Sequence, residues 1–507
     1  MTRLIVDSPE WVEHRVMSRR QAALVAHVVV SAVLSGVTLV GAAEFPVGPA
    51  LVWWDCLMLS LISIWLVVSW RFARGSLFNP YGLFLFSTLA FNAGQVPLQV
   101  FGLNDNGLLR GQFTAYELHA SLLFIGACLI GLQLGALLRL QLSGAPLTDG
   151  GSVRGVAGDA AACRRVGLVM LCVGAVPAFI VLTRSVGLAN LGGYIAIYAQ
   201  QASTSFDAAP QVLASFLLPG AFFLLAGSER ARRWVYLSGA IVIVYMSLHL
   251  YIGDRANAFL PVIAWLWIYT NVVRRLPGRL LLIGAIVTVI VIFPVVGQLR
   301  NLTASGRVEL GVVAAFQSVN NPVLATVSET GGSMETVVAT MILIPERRPF
   351  DVGVGYAYAL LTIVPNLFWA VHPSIAHGSY DDWLVAVFAP TVAAAHGGLG
   401  FSYLAEAYAN FGWLGFTIPF ILGFMVVWLE DWARGRGVNS RYAAVGACLP
   451  ALLFWARAEA SFEIRTFIWY AAIPFFAVML LSRRSRRVDR IAVEALQSSR
   501  SSVGPGI

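Results

Sequence analysis

Twelve long apolar runs set the strongest limit on how this chain can fold. A helix needs about 20 apolar residues to cross a bilayer. The runs cover residues 21–43, 49–70, 80–101, 115–138, 165–183, 209–227, 234–252, 256–273, 279–298, 411–430, 441–457 and 465–482. Of the 507 residues, 58% are hydrophobic and 12% are charged, whereas a soluble chain is roughly 25% charged. We therefore predict an all-α, polytopic integral membrane protein with about 12 transmembrane helices.

Arginines in the short loops predict the orientation of these helices. Cytoplasmic loops are enriched in arginine. At least two arginines occur in each of the loops 71–79, 139–164, 228–233, 274–278 and 431–440, and more follow in the tail. Both termini are therefore expected to be cytoplasmic. The predicted organisation is spans 1–9 in 1–298, a large outer loop with a re-entrant or interfacial segment in 299–410, spans 10–12 in 411–482, and a basic cytoplasmic tail in 483–507.

Four arginines at the outer ends of apolar runs predict an anion site. Arg255, Arg300, Arg457 and Arg465 lie where a charge is costly unless it is paired or faces water. The guanidinium fork suits phosphate and pyrophosphate because it donates several hydrogen bonds. Snorkelling to the membrane surface is the alternative for each arginine. Arg457 and Arg465 are eight residues apart, so a continuous helix would align them; a short polar hairpin with internal ion pairs is the alternative.

Two glycine-containing stretches place further polar residues beside these arginines. Asp254 and Arg255 follow a glycine and begin a helix, where the dipole favours anions; a simple cap by Asp254 is the alternative. In the second stretch, Tyr403, Glu406 and Asn410 are spaced i, i+3 and i+7 and share one helical face. Glu406 can act as a general base or bind sugar hydroxyls. An interfacial aromatic belt is the alternative for this face.

A polar tract at 372–383, with a histidine further on, supplies the remaining candidates. Asp381, Asp382, His377 and His396 match no compact metal-ligand signature, so neither a metal nor a cofactor is expected. A substrate-binding loop and a solvated loop both fit this composition.

Three stretches of this sequence resemble the Wzy-type O-antigen and exopolysaccharide polymerases. They are FNPYGLFLFSTLAFNAGQ at 78–95, GDRANAF at 253–259 and GLGFSYLAEAYANFGWLG at 398–415. The resemblance implies a glycosyltransferase at the outer face of the bacterial cytoplasmic membrane. Such an enzyme moves a growing glycan from undecaprenyl pyrophosphate onto a new lipid-linked repeat unit. Arg255 falls on the family's glycine-x-arginine element, and Glu406 falls on its glutamate-containing element.

Two other functions remain open on the sequence. The related O-antigen ligases have a similar layout and an essential histidine in the outer loop, which His377 or His396 would match. A transporter, including a flippase for lipid-linked oligosaccharides, also fits twelve spans. Many transporters, however, have repeated halves, and the two halves of this chain show no repeat.

The candidate residues and partners can now be stated together. The catalytic candidates are Glu406, Arg255, His396, Asp381 and Asp382; the substrate-binding candidates are Arg300, Arg457, Arg465, Tyr403, Asn410, Asp254 and His377. The expected partners are undecaprenyl-pyrophosphate-linked oligosaccharide and the lipid bilayer. Flippase and chain-length regulator proteins are compatible with the resemblance, and no nucleic acid is expected.

Overall fold

The computed structural model describes residues 9–104, 106–143, 158–198, 205–229, 231–366, 369–435 and 438–484. Most of the predicted loop 139–164 and nearly all of the predicted basic tail lie outside the described residues. Within the described ranges every regular element is helical and none is a strand, which confirms the all-α prediction.

Twenty-three helices are defined by the following bounds. They are α1 Pro9–Glu44, α2 Pro49–Arg74, α3 Pro80–Ala93, α4 Gln95–Val100, α5 Ala115–Leu142, α6 Asp159–Gly192, α7 Ser205–Ala214, α8 Leu217–Ala226, α9 Arg232–Ile252, α10 Arg255–Ile268, α11 Gly278–Val287, α12 Phe293–Leu299, α13 Ala304–Gln317, α14 Pro322–Thr330, α15 Ser333–Leu343, α16 Val354–Leu361, α17 Pro373–His377, α18 Tyr380–Phe388, α19 Pro390–Ala394, α20 Tyr403–Phe411, α21 Thr417–Arg434, α22 Asn439–Trp455 and α23 Ala460–Thr466. Short π-helical turns continue α10, α11 and α23.

Ten helical runs among the described residues are long and apolar enough to cross a membrane. Their bounds are Arg19–Glu44, Pro49–Arg74, Ala115–Leu142, Asp159–Gly192, Ala209–Ala226, Arg232–Ile252, Arg255–Val273, Gly278–Leu299, Tyr403–Arg434 and Ala460–Arg484. An eleventh run exists if Ala304–Gln317 and Pro322–Leu343, which meet at 106°, form one span.

The count is therefore lower than the twelve expected from sequence. The predicted span 80–101 divides at Gly94 into helices of 14 and 6 residues. The predicted span 441–457 corresponds to α22, which has 17 residues. Both segments are helical and apolar, but each is at or below the short end of the length that crosses a bilayer.

Close packing of α5 against α21 forms the centre of the bundle. A side chain at Gly135 would collide with the Phe420 carbonyl, and one at Gly423 would collide with the Leu132 carbonyl. Glycine at such positions lets two helix backbones approach closely, which is a common basis of helix association in lipid. The contact therefore depends on these two residues having no side chain.

One end of the bundle carries a buried set of ion pairs, which we call the ion-pair layer. Glu430 Oε1 lies 2.8 Å from Arg74 Nη2 and 2.7 Å from Arg434 Nη2. Asp431 Oδ2 lies 3.5 Å from Arg139 Nη2. Glu430 has no exposed surface. These contacts join α2, α5 and α21 at the end where all three helices finish.

The opposite end gathers the ends of α6, α9, α12 and α22, and we call it the site end. The Tyr194 N–H, just after α6, donates to the Arg300 carbonyl, just after α12, over 2.7 Å. Gly253, just after α9, lies against the side chain of Arg300. The segment 299–410 covers this end and contains α13 to α20, so the residues that sequence analysis singled out there can meet.

Candidate active site

One carboxylate at the site end holds two of the predicted arginines. Glu329 Oε1 accepts a hydrogen bond from Arg255 Nη2 over 2.5 Å and lies 3.1 Å from Arg300 Nη1. Arg255 also donates from Nη1 to the Phe293 carbonyl over 3.1 Å. Asp254 caps α10 by accepting from the Asn257 N–H over 3.1 Å, so the first residue of α10, Arg255, is held at the helix start. Arg255 and Arg300 therefore share one carboxylate between them.

Arg457 brings a third guanidinium to this group. It lies on the turn between α22 and α23, with its guanidinium carbon 5.7 Å from the centre of the Phe91 ring. It interacts electrostatically with Glu329, Arg300 and Arg255. In the part of the chain that the structure describes, its guanidinium forms no hydrogen bond and no ion pair. We call Arg255, Arg300, Glu329 and Arg457 the anion cluster, because its positive groups outnumber its single carboxylate.

A carboxyl group with a raised pKa lies next to Arg457. Asp381 is half-buried near the start of α18, and within the described ranges its Oδ1 has no hydrogen-bond partner. Burial raises the pKa of Asp381 to about 6; the neighbouring charge of Asp382 adds to the shift, and Arg457 opposes it. A carboxyl group with such a pKa can accept a proton near neutral pH, as a general base must.

A glycine segment separates Asp381 from Arg457 and brings the backbone against both. A side chain at Gly398 would lie 3.7 Å from Asp381 Oδ2, and one at Gly400 would collide with the Arg457 guanidinium. Gly400 also has a φ of 74°, which side chains disfavour. The glycines of this stretch therefore allow the chain to pass between the carboxyl group and the guanidinium.

Glu406 is placed differently from what its predicted role as a base requires. It is 1% exposed, and its Oε2 accepts from the Ala460 N–H at the start of α23 over 2.8 Å. Nearby, Glu459 Oε2 accepts from the Tyr380 N–H over 2.7 Å. Arg457 lies on the turn before α23. The first bond joins this turn to α20, and the second joins it to the start of α18, where Asp381 lies. Glu406 is therefore buried and bonded to the backbone of this turn.

The other two residues of the predicted α20 face are also buried. Tyr403 Oη lies 3.4 Å from the Thr88 hydroxyl. The Asn410 side chain donates to Tyr380 Oη over 3.1 Å and accepts from the Gly353 N–H over 3.1 Å. Tyr403 therefore ties α20 to α3, and Asn410 ties α20 to α18 and to the residue before α16.

The remaining predicted residues lie apart from the anion cluster or at the surface. His377 Nε2 lies 3.3 Å from Asp351 Oδ2, and its ring stacks on Tyr358. Asp382 and His396 are exposed. Arg465 is also exposed. No continuous helix aligns it with Arg457, since α22 ends at Trp455 and α23 begins only at Ala460, which agrees with the alternative of a break in this stretch.

Glu329 is the main functional candidate that sequence analysis missed. It lies in α14, 29 residues after Arg300, with α13 between them, so no local spacing connects the two. The only indication in the sequence was the excess of arginine at this end, because buried arginines usually pair with a carboxylate. Among the described residues, no group of three or more histidine, cysteine, aspartate or glutamate side chains is arranged to hold a metal ion.

The fold defines a multi-pass, all-α membrane protein with a cluster of arginines at one end of the bundle. The family model of the O-antigen polysaccharide polymerase Wzy matches residues 27–486, nearly the whole chain. The chain belongs to this family, as its three motifs predicted. It is therefore a bacterial membrane polymerase of the glycosyltransferase type. No curated protein and no solved structure matches it.

Proposed function

We propose that this polymerase transfers a growing glycan from a polyprenyl pyrophosphate carrier, undecaprenyl pyrophosphate, onto a lipid-linked acceptor repeat unit. The reaction takes place at the outer face of the cytoplasmic membrane, and the product is O-antigen or exopolysaccharide. The single observation that carries the proposal is the anion cluster, in which Arg457 forms no ion pair with any described residue beside the Arg255–Glu329–Arg300 group. An anionic substrate group supplies the missing partner.

The anion cluster suits the leaving group of this reaction. The bond between the anomeric carbon of the donor and its pyrophosphate oxygen breaks, and the carrier pyrophosphate leaves with the electron pair. Guanidinium groups already in position stabilise the charge that develops on that oxygen, and one such donor is worth roughly 100-fold in rate or more. Arginines serve here as the cations of the reaction, so the proposal includes no metal ion.

Asp381 is the proposed proton acceptor. The acceptor sugar hydroxyl attacks the anomeric carbon, the new glycosidic bond forms, and the hydroxyl proton passes to the carboxylate. Its Oδ1, which has no hydrogen-bond partner among the described residues, and its electrostatic interaction with Arg457 support this assignment. Glu406 acts through the Ala460 N–H on the same turn, so it positions the site without contacting the sugar.

Replacement of Arg457 tests the proposal most directly. Arg457→Ala should abolish long-chain glycan and leave single repeat units, while the protein remains at normal abundance in the membrane. Arg457→Lys should rescue poorly, since a point charge lacks the fork geometry. Arg347→Ala is the matched control, because Arg347 is exposed and forms no part of the anion cluster. A wild-type glycan ladder from Arg457→Ala would refute the role of the cluster.

A further inference from the structure

Three helix ends meet beside the anion cluster, at the points where α6, α9 and α12 finish. Gly253 follows α9 with a φ of 98° and lies so close to Arg300 that any side chain there would collide with it. The Tyr194 N–H, after α6, donates to the Arg300 carbonyl. Helix C-terminal ends carry unsatisfied carbonyl groups and partial negative charge. A cation at this point would therefore hold the three ends together.

Arg307, in the first turn of α13, is that cation. Its Nε donates to the Leu302 carbonyl over 3.0 Å, and its Nη1 donates to the Tyr251 carbonyl. Its Nη2 lies 3.4 Å from both the Ala189 and the Arg300 carbonyl oxygens. One guanidinium thus reaches main-chain acceptors from α6, from α9 and from the segment directly after α12.

The acceptors of Arg307 favour a role in holding the backbone over a role as a ligand for the substrate anion. All three of its nitrogens are engaged by carbonyl oxygens, and its guanidinium carbon lies 5.1 Å from the centre of the Tyr251 ring. Arg300 differs, because its guanidinium reaches the shared carboxylate of Glu329 and lies over the Tyr194 ring. Arg307 therefore binds main-chain carbonyls, whereas the charge of Arg300 lies in the anion cluster.

We propose that Arg307 is a positioning residue of the polymerase: by tying the ends of α6, α9 and α12 together, it fixes Arg300 and Arg255 at the spacing that binds a pyrophosphate group. This inference rests on the proposed function, since it assumes that the anion cluster binds pyrophosphate. Arg300 follows α12 directly, and Arg255 begins the helix after α9. A loosened junction would therefore displace two guanidiniums at once.

The test is a double-mutant cycle on the full-length protein in lipid nanodiscs, with inorganic pyrophosphate as the probe. Arg307→Ala should weaken pyrophosphate binding about 10- to 100-fold, the scale of loss that a displacement of about 1 Å causes. Arg300→Ala should also weaken it. The double variant should fall well short of the product of the two losses, because Arg307 acts through Arg300. Arg347→Ala, at an exposed position, should bind as the wild type does.

Each other outcome has a distinct meaning. Losses that multiply would show that Arg307 contacts the anion directly and would overturn the positioning role. A lowered melting temperature with unchanged pyrophosphate affinity would reduce Arg307 to a structural residue. Wild-type affinity in Arg307→Ala, beside a loss in Arg300→Ala, would overturn this inference and leave the proposed function standing. Unchanged binding in Arg300→Ala would instead overturn the proposed function.

Arg307→Lys keeps the test valid if the alanine variant does not fold. Lysine retains the charge but lacks the fork that reaches three helix ends, so its affinity for pyrophosphate should lie between those of the wild type and Arg300→Ala. Full affinity in Arg307→Lys would show that the fork is unnecessary. Absence of both variants from the membrane would show that Arg307 serves folding, and would overturn its assignment to the site.

Discussion

At the scale of single residues, the candidate active site consists of two groups left without partners and a glycine segment between them. Arg457 forms no ion pair, and Asp381 Oδ1 has no hydrogen-bond partner, among the residues that the structure describes. A buried polar atom normally finds a partner, so the bare Asp381 Oδ1, across the glycine segment from Arg457, indicates a place for substrate. Gly400 keeps the Arg457 guanidinium in place by offering it no side chain.

Gly400→Ala should damage the site without removing any charged group. The new Cβ would push the Arg457 guanidinium aside, and a shift of about 1 Å in a catalytic group can cost roughly 100-fold in rate. Gly378→Ala is the matched control, because Gly378 has a φ of 80° but open space around its Cβ position. Gly400 and Gly378 both have a positive φ, of 74° and 80°, so both variants carry backbone strain. Equal glycan ladders from the two would show that contact with Arg457 is unimportant.

The pH dependence of polymerisation should report the ionisation of Asp381. Only the ionised carboxylate accepts a proton, so the rate should rise as the pH increases through about 6, the pKa of Asp381. Asp381→Asn should lose roughly 100-fold or more. Asp382→Asn removes a negative neighbour that raises this pKa, so the acid limb of its profile should move to lower pH. An acid limb that stays in place in Asp382→Asn, with activity kept in Asp381→Asn, would exclude Asp381 as the base.

At the scale of helices, the placement of Glu406 depends on where two elements begin and end. The sequence predicted a helix through Tyr403, Glu406 and Asn410, and α20 confirms it. The break at 456–459 agrees with the polar hairpin that the sequence left open there, but the bond from the Ala460 N–H to Glu406, which the break makes possible, was not predicted. Such a bond joins residues 54 apart, and neither helical periodicity nor spacing reports it.

Glu406→Gln separates the positioning role from the role of a base. Glutamine keeps a carbonyl oxygen that accepts from the Ala460 N–H, so abundance should be normal and the rate should fall less than about tenfold. Glu406→Leu removes the acceptor and leaves a buried N–H unsatisfied, at a cost of about 1–3 kcal/mol, and should shorten the glycan. A base at this position would instead lose roughly 100- to 10,000-fold in Glu406→Gln.

The sequence predicted some residues of the candidate site but not others. Arg255, Arg300 and Arg457 were found because an arginine at the end of an apolar run is costly and needs a reason. Glu329 and Arg307 were not predicted as site residues, because their partners are arginines and main-chain carbonyls that only the packing of α12, α13 and α14 brings near. Charge placement predicts the members of a site better than it predicts their partners.

At the scale of the whole molecule, the apolar runs predicted nearly all of the membrane helices, because hydrophobic length alone decides whether a helix can span. They did not predict how the segment 299–410 folds. Its pieces are short, and each becomes helical in contact with others, such as α18 with Glu459 and α20 with Gly353. The two ends of the bundle also differ: one carries the ion-pair layer, and the other carries the anion cluster.

Cysteine labelling can decide which end faces outward. In a Cys172→Ser background, which removes the one exposed cysteine of the five, His396→Cys reports the site end and Glu229→Cys reports the loop after α8. A membrane-impermeant maleimide should label position 396 in intact cells, and it should label position 229 only after the cells are opened. Glu229 suits the control because its side chain is 61% exposed. Labelling with the opposite sidedness would invert the proposed topology.

The ion-pair layer has a consequence for how the chain is made. Arg74 and Glu430 are 356 residues apart, and a ribosome covers that distance in roughly 20 to 70 s at about 5–20 residues per second. α2 is in the membrane from early in this interval and α5 for most of it, and their arginines can extend to the lipid head groups. The ion-pair layer therefore cannot form until α21 is inserted. Protection of the ends of α2 and α5 from proteases thus depends on a helix that is encoded in the last third of the gene.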